Sequence, residues 1–266
     1  MNPGEIWLGD IGSRSALNGI KESLEGAETL VYLASVTTPY VSELRPELEA
    51  TNFLTAQNYF SAAITSGVRR IILVSSGGTI YRPSSELRLE GDPITPSCFY
   101  GVGKYAIELL AARYAARRDF ELCILRFSNV YGPYQTARGG QGLIAAVINA
   151  AVNGEKLTLF GDATRDYLFV NDACDAVIKA VDALGETING QEFNISAGSG
   201  TRSSEIVAII GRLFNRDILV KQEPPRDFDL ESVVLSNKKA AEVLGWKPRT
   251  SIEKGIEAML PTEVRP

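Results

Sequence analysis

Three short runs of apolar residues, separated by helical patterns, constrain the fold of this chain more than any other feature of its sequence. The runs are Thr29–Ala34, Arg70–Ser75 and Leu122–Phe127. Because apolar side chains occur on both faces of these runs, each is typical of a strand that is buried on both sides. Helical patterns fall at Pro46–Ser66 and from Tyr100 to about Arg118. The sequence therefore predicts a parallel sheet covered by helices on both faces.

The second half of the chain has shorter and less regular elements. We expect an α/β fold, with a Rossmann-like sheet over residues 1–131 and a smaller mixed α/β lobe over residues 132–266, from which some segments return to the sheet. We expect the ligand cleft at the carboxyl ends of the parallel strands. The predicted elements of the second half are the helices Leu143–Val152, Asp172–Leu184 and Ser204–Phe214, the strands Leu157–Phe160 and Glu192–Ile195, and a final helix opened by a capping box at Thr250 and Glu253.

Composition excludes several classes of function. The chain has 266 residues, 45% of them hydrophobic, and a net charge of −5 without a long basic run, which argues against nucleic acid or an anionic membrane surface as a partner. No apolar run approaches the roughly 18 residues of a membrane span, so we expect a cytoplasmic protein. The chain has no histidine, and its three cysteines lack metal-ligand spacing. Metal sites with His ligands and nucleophiles activated by His are therefore excluded.

Tyr100 and Lys104 form the most informative pair of polar residues. They lie four positions apart in a predicted helix, so both side chains project from one face. An ammonium group beside a phenol favours the phenolate and lowers its pKa, which a general base needs. The same spacing occurs by chance in many helices, so the pair alone is not specific.

Seven motifs in order raise that specificity, and together they cover nearly the whole chain. They are Leu33-Ala34-Ser35 with Pro39, then Asn52, Ser75–Tyr81, Tyr100-x-x-x-Lys104, Arg126–Pro133, Arg165-Asp166-Tyr167 with Val170 and Asp172, and Leu244-Gly245-Trp246 with Pro248. In this order and spacing they resemble the extended short-chain dehydrogenase/reductase family. Within that family they are most similar to nucleotide-sugar epimerases of the UDP-glucose 4-epimerase type.

The resemblance implies NAD as cofactor and assigns catalytic roles. Tyr100 would take a proton from a sugar hydroxyl, and Lys104 would lower the pKa of Tyr100 and hold the nicotinamide ribose. Thr79 and Ser76 are rival candidates for a third catalytic hydroxyl, because Gly77 stands where the family commonly has Ser or Thr; we favour Thr79. The cofactor-binding residues implied by the resemblance are Asp10, Ile11, Ala34, Ser35, Ser75, Phe127, Tyr100 and Lys104. For Ser75 a structural role at a strand end is an equal alternative.

The resemblance also implies a nucleotide-sugar substrate, of UDP-hexose type. Arg165 and Arg226 match positions that grip the diphosphate, and guanidinium groups suit phosphate oxygens. The other implied substrate-binding residues are Thr79, Asn129, Leu143, Leu159 and Phe160. We read Asp172 as a helix cap. Because Gly77–Ile80 lacks the acidic pair of dehydratases, epimerisation fits better, with a reductase or decarboxylase branch left open.

Two further expectations follow from the resemblance. Helices Pro46–Ser66 and Gly103–Arg118 resemble those that pair subunits, so we expect a homodimer. Family members open with a glycine-rich turn that holds the pyrophosphate, and this sequence has none; Asp10 and Ile11 would be the first cofactor contacts. Three alternatives remain: an epimerase whose start lies upstream, a relative that binds a nucleotide sugar or partner without catalysis, and a fragment that folds poorly alone.

Overall fold

Strands and helices alternate along the described part of the chain. The computed structural model describes residues 20, 24–117, 120–137, 142–226 and 232–261. No helix within these ranges is long and apolar enough to cross a membrane. The strands are β1 Thr29–Tyr32, β2 Arg70–Ser76, β3 Glu121–Phe127, β4 Asn129–Tyr131, β5 Leu157–Phe160, β6 Thr164–Phe169, β7 Gln191–Ile195, β8 Gly200–Arg202, β9 Val220–Glu223 and β10 Ser232–Val233. The helices are α1 Pro39–Leu44, α2 Leu48–Thr65, α3 Gly77–Ile80, α4 Phe99–Ala116, α5 Leu143–Asn153, α6 Val170–Asp182, α7 Gly185–Ile188, α8 Ser203–Phe214, α9 Lys238–Val243 and α10 Ile252–Glu257.

The central sheet has the order β1-β2-β3-β7, and all of its described neighbours are parallel. Both faces are covered, as the apolar runs predict. Ile71 packs with Phe60 of α2 and Ile107 of α4 on one face. Ile72, one residue later and therefore on the opposite face, packs with Ala176 of α6. The predicted parallel α/β fold is confirmed.

The second half contributes to the central sheet and also forms smaller sheets. Strand β7 pairs with β3 in the centre of the molecule. A second sheet has the order β10-β6-β4, with β8 antiparallel to β6, and β5 pairs with β9. Element bounds agree with the predicted ones to within a few residues; α2, for example, begins at Leu48 and not at Pro46. The division into two domains at residue 131 stays a prediction.

Two predicted helix caps are wrong. The last helix is capped by Ser251, whose hydroxyl accepts a hydrogen bond from the Lys254 amide, and not by Thr250. The Thr250 amide instead donates to the Asp172 carboxylate, 3.0 Å away, beside the Arg249 amide at 3.1 Å. Asp172 lies inside the first turn of α6 and is buried. It therefore anchors a distant loop and does not cap its own helix.

A buried ion pair attaches helix α4 to the centre of the sheet. Nη2 of Arg126 in β3 lies 2.7 Å from Oε2 of Glu108 in α4, and the two side chains are only 8% and 3% exposed. Arg126 also donates through Nη1 to the Tyr81 hydroxyl at 2.8 Å. This network fixes the position of the helix whose first turn carries Tyr100.

A second buried carboxylate joins the two main sheets. Asp166 of β6 accepts backbone hydrogen bonds from Ala197 at 2.9 Å, Gly198 at 3.2 Å and Leu235 at 3.4 Å. Ala197 and Gly198 follow β7 of the central sheet, so Asp166 ties β6 to that strand end. Burial outweighs these donors and raises the pKa of Asp166 to about 6.

We expect Glu108→Gln to lower the free energy of unfolding by about 3 kcal/mol, because it leaves the buried charge of Arg126 without its partner. Chemical denaturation followed by circular dichroism measures this. The control is Glu242→Gln, which removes an exposed pair with Lys238 at 3.8 Å and should cost about 1 kcal/mol or less. Equal losses in the two variants would contradict the assignment.

The raised pKa of Asp166 predicts a pH dependence of stability. The ordinary pKa is 3.8 and the folded-state value about 6, so the folded state binds this proton more tightly. The stabilisation is full at low pH and is lost as pH rises through about 6. Between pH 4.5 and 7 the wild type should lose about 2 kcal/mol relative to Asp166→Asn, which does not titrate. Denaturation of both proteins at the two pH values measures this difference; a constant difference would refute the shift.

Candidate active site

Two cavities lie next to each other; the wall of the first includes Ser76 at the carboxyl end of β2, whereas the wall of the second includes all of β5. The first, which we call the Tyr100 cavity, has a volume of about 340 Å³, and its wall includes Ser76, Thr79, Tyr100 and Asn129. The second, the Phe160 cavity, has about 290 Å³ and is lined by Leu157, Thr158, Leu159 and Phe160 among others. Residues that line both cavities join them into one cleft; they are Leu143, Arg165, Tyr167 and Arg226.

Local packing places Tyr100 beside Thr79. Helix α4 begins directly after Cys98, whose sulfur accepts a hydrogen bond from the Gly101 amide at 3.4 Å. A Cβ atom at Gly101 would collide with the carbonyl oxygen of Thr79, so the absence of a side chain lets the helix approach that turn closely. Tyr100, in the first turn of α4, consequently lies on the same cavity wall as Thr79.

The charge environment of Tyr100 differs from the expectation. Nζ of Lys104 lies 5.6 Å from the centre of the Tyr100 ring, as the four-residue spacing predicts. Burial nevertheless raises the pKa of the Tyr100 phenol, and the charge of Glu49 raises it further. Burial also lowers the pKa of Lys104. The predicted lowering of the Tyr100 pKa by Lys104 is therefore wrong for this structure, because desolvation of the phenol and the charge of Glu49 both raise it.

Glu49, which we did not identify from the sequence, lies against the backbone of α4. Its carboxylate accepts hydrogen bonds from Ser42, from Oγ1 of Thr37 at 2.6 Å and from Nδ2 of Asn52 at 3.1 Å. A Cβ atom at Gly103 would collide with this carboxylate. The only signal in the sequence was a glycine inside a helix, which often marks a close approach by another group.

Both candidates for the third catalytic hydroxyl line the Tyr100 cavity. Oγ1 of Thr79 lies 3.0 Å from Oγ of Ser76, with the threonine donating. The two hydroxyls thus form one hydrogen-bonded pair near Tyr100, and the choice between them stays a prediction.

The predicted cofactor residues fall into three groups. Asp10 and Ile11 lie outside the described residues. Ala34 and Ser35 follow the carboxyl end of β1, and Ser35 accepts from the Thr37 amide at 3.4 Å. Phe127 ends β3 and packs in the hydrophobic core, where it contacts other core side chains. Their contacts with a cofactor stay predictions.

Ser75 provides a test of whether the site fits a polar cofactor. Its side chain is 4% exposed, and Oγ has no hydrogen-bond partner among the described residues. Ser75 lies one residue before the carboxyl end of β2, next to Ser76, which lines the cavity together with Tyr100. A buried hydroxyl without a partner is costly. The residues present therefore fit a group such as NAD, whose hydroxyl and amide groups would supply a partner.

Side chains alternate between the two faces of strand β6, so the residues of the Arg-Asp-Tyr motif have different surroundings. Arg165 and Tyr167 point to the cavities, whereas the intervening Asp166 points to the opposite side and is fully buried. Burial raises the pKa of Tyr167 to about 12, with Arg165 opposing the shift. Asn129, on the neighbouring β4, donates from Nδ2 to the Asp166 carbonyl at 3.0 Å. The motif thus supplies a cation and a phenol to one wall.

The structure also brings residues to the cleft that sequence reasoning missed. Pro39, Tyr40 and Gln135 line the Tyr100 cavity, and Tyr167 lines both cavities. Because side chains alternate between the two faces of a strand, the prediction of Arg165 as a cleft residue could also have identified Tyr167, two residues later. Pro39 belongs to the first motif of the resemblance, which assigned it no role, and nothing in the sequence indicated that the helix carrying Tyr40 lies beside the cleft.

Comparisons with known proteins show the family of this chain. The model of the NAD dependent epimerase/dehydratase family matches residues 3–196. The UDP-glucose 4-epimerase of Mycolicibacterium smegmatis is 34% identical over 233 residues, which cover 86% of this chain and 74% of that protein.

Solved structures show the same fold. The UDP-glucose 4-epimerase of Thermotoga maritima, crystallised with UDP-glucose, superposes with a TM-score of 0.87 at 28% identity, covering 95% of this chain and 82% of that one. MoeE5 in complex with UDP-glucuronic acid and NAD gives a TM-score of 0.85 at 28% identity, covering 95% and 83%. From its fold, its cleft and the match over residues 3–196, this chain belongs to the NAD dependent epimerase/dehydratase family.

Proposed function

We propose that this chain is an NAD-dependent epimerase of a nucleotide sugar, of the UDP-hexose type. The observation that carries the proposal is the continuous cleft, in which Arg165 and Arg226 line the junction between the cavity of Tyr100 and the cavity of Phe160. A nucleoside diphosphate sugar has the same order of groups: a sugar, two phosphates and a nucleoside. The related epimerase crystallised with UDP-glucose supports this class of substrate.

The cleft offers each part of such a substrate a suitable environment. The two guanidinium groups at the junction suit a diphosphate, since they present several N–H donors in one plane. The Phe160 cavity, with Leu157 and Leu159, offers apolar surface to a base. The Tyr100 cavity offers the hydroxyls of Thr79 and Ser76 and the side-chain amide of Asn129 to the sugar.

Proton transfer at Tyr100 is the step that this chain itself performs. The phenolate oxygen of Tyr100 takes the proton of the reacting sugar hydroxyl and returns it to the same sugar oxygen when the configuration of the carbon has been inverted. Thr79 or Ser76 holds that oxygen by a hydrogen bond. When bound, NAD would supply the acceptor and donor of hydride that interconverts the carbinol and the ketone, as well as a positive ring whose charge favours the phenolate. Lys104 and Ser75 are the residues that would hold its polar groups.

We also propose that two copies of the chain pair through helices α2 and α4. The helices lie side by side, with the Ser61 and Tyr114 hydroxyls 3.2 Å apart. Large apolar side chains on their outer surface are exposed, including Leu54 at 58%, Val102 at 53% and Leu109 at 55%. Exposed apolar residues clustered on one face favour an interface. The predicted homodimer and cytoplasmic location remain proposals.

The proposed function predicts that the purified chain retains or binds NAD and interconverts a UDP-hexose with its epimer. Tyr100→Phe should lower turnover by about 10² to 10⁴, because it removes the general base. UDP affinity and NAD content should stay unchanged, since the phenyl ring keeps its packing. Coupled turnover assays, chromatography of the products and release of NAD on denaturation measure these quantities.

The matched control is Tyr105→Phe on the same helix, which packs beside Ile80 and Leu235 and should leave turnover unchanged. A wild type that binds UDP but holds no NAD and turns over no UDP-hexose would leave only the non-catalytic alternative. A reduced sugar as product would favour a reductase.

The proposed dimer predicts that Leu109→Glu weakens self-association at least about hundredfold. A twofold interface contains every substituted residue twice, so the carboxylates of both copies would be desolvated together. Analytical ultracentrifugation over a range of concentrations measures the dissociation constant. Leu87→Glu is the control, because Leu87 is 48% exposed and lies outside both helices. A monomeric wild type would exclude the interface.

A further inference from the structure

Two aromatic rings from separate parts of the chain hold the guanidinium of Arg226. The Cζ atom of Arg226 lies 5.7 Å from the centre of the Tyr40 ring and 5.1 Å from the centre of the Phe160 ring. Both distances fall within the range of significant cation–π contacts. Tyr40 belongs to α1, which follows the first strand of the central sheet, whereas Phe160 ends β5. The arginine therefore connects two sides of the cleft.

The position of Tyr40 is itself well supported. Pro39 occupies the start of α1, and the Thr38 hydroxyl caps the helix by accepting from the Val41 amide at 3.2 Å. Ser42, in the same short helix, is fully buried and donates to Glu49. Since Glu49 lies against α4, the helix that carries Tyr40 is attached to the helix that carries Tyr100. The Tyr40 ring is thus a fixed surface and not the end of a free loop.

An arginine side chain that is held in this way loses less conformational freedom when it binds an anion. Arginine has a long side chain with much rotational freedom, and ordering it on binding lowers affinity. Aromatic rings in contact with a guanidinium reduce this freedom, and the N–H groups of the guanidinium can still donate to an anion. Arg226 lines both cavities, at their junction.

We propose that Tyr40 is a positioning residue for the substrate diphosphate, because with Phe160 it holds Arg226 across the junction of the two cavities before the ligand binds. The inference rests on the proposed function, since it needs a nucleoside diphosphate as ligand. It adds a residue that acts through Arg226 and needs no contact with the reacting sugar.

The test is the affinity for UDP, which contains the diphosphate but lacks the hexose. Tyr40→Leu keeps much of the side-chain volume and removes the ring, so calorimetry should show binding about tenfold weaker than in the wild type. Tyr40→Phe keeps the ring and should stay within about twofold. Tyr40→Ala also removes the ring, together with most of the side-chain volume, and repeats the comparison. Thermal unfolding of each variant reports whether it is folded.

A double-mutant cycle separates action through Arg226 from a direct contact. In the Arg226→Met background, Tyr40→Leu should change UDP affinity by less than about twofold, because the cation that it positions is gone. Uridine, which lacks phosphates, should bind equally to the wild type and to Tyr40→Leu.

Three results would overturn the inference alone: wild-type UDP affinity in Tyr40→Leu and Tyr40→Ala, an equal loss in the Arg226→Met background, or an equal loss for uridine. A wild type that does not bind UDP would overturn the proposed function, and this inference with it.

Discussion

The buried ion pair between Glu108 and Arg126 is the interaction on which the rest of the site depends. Glu108 lies two helical turns after Tyr100, and Arg126 lies near the carboxyl end of the central strand β3. With both side chains less than a tenth exposed, neither charge has water as an alternative partner. The pair therefore fixes the position of α4 along and against the sheet. This position in turn sets the distance between Tyr100 and the strand ends beside the cleft.

Burial also decides the chemistry of the site. Tyr100 is a weaker acid here than in water because desolvation disfavours the phenolate, and Glu49 adds to that effect. A further positive charge near the ring would oppose this shift and favour the phenolate. Lys104 is near the ring but is itself buried, and its own pKa is lowered. The described residues therefore fit a site in which a bound cationic group lowers the pKa of Tyr100.

The segment between β1 and α2 has contacts with both Glu49 and Arg226. Through Ser42 and Thr37 it is bonded to Glu49 against α4, and through Tyr40 it contacts Arg226. The segment therefore connects Arg226 to the helix that carries Tyr100. A loop with these contacts is part of the rigid framework of the site, although its sequence is that of an ordinary polar connection.

The sequence by itself determined the parallel sheet, the helices on both faces and the cleft residues that belong to ordered motifs, such as Tyr100, Arg165 and Asn129. The sheet and the helices depend on periodicity, which is local, whereas the cleft residues were identified from the resemblance of their motifs to those of the family. Only the tertiary structure decided the partners of Asp172, the place of Tyr40 beside Arg226, the approach of Glu49 to Gly103 and the direction of the Tyr100 pKa shift. Each of these depends on groups distant in sequence and on the loss of water around them. Neither packing nor desolvation is encoded in a local pattern of residues.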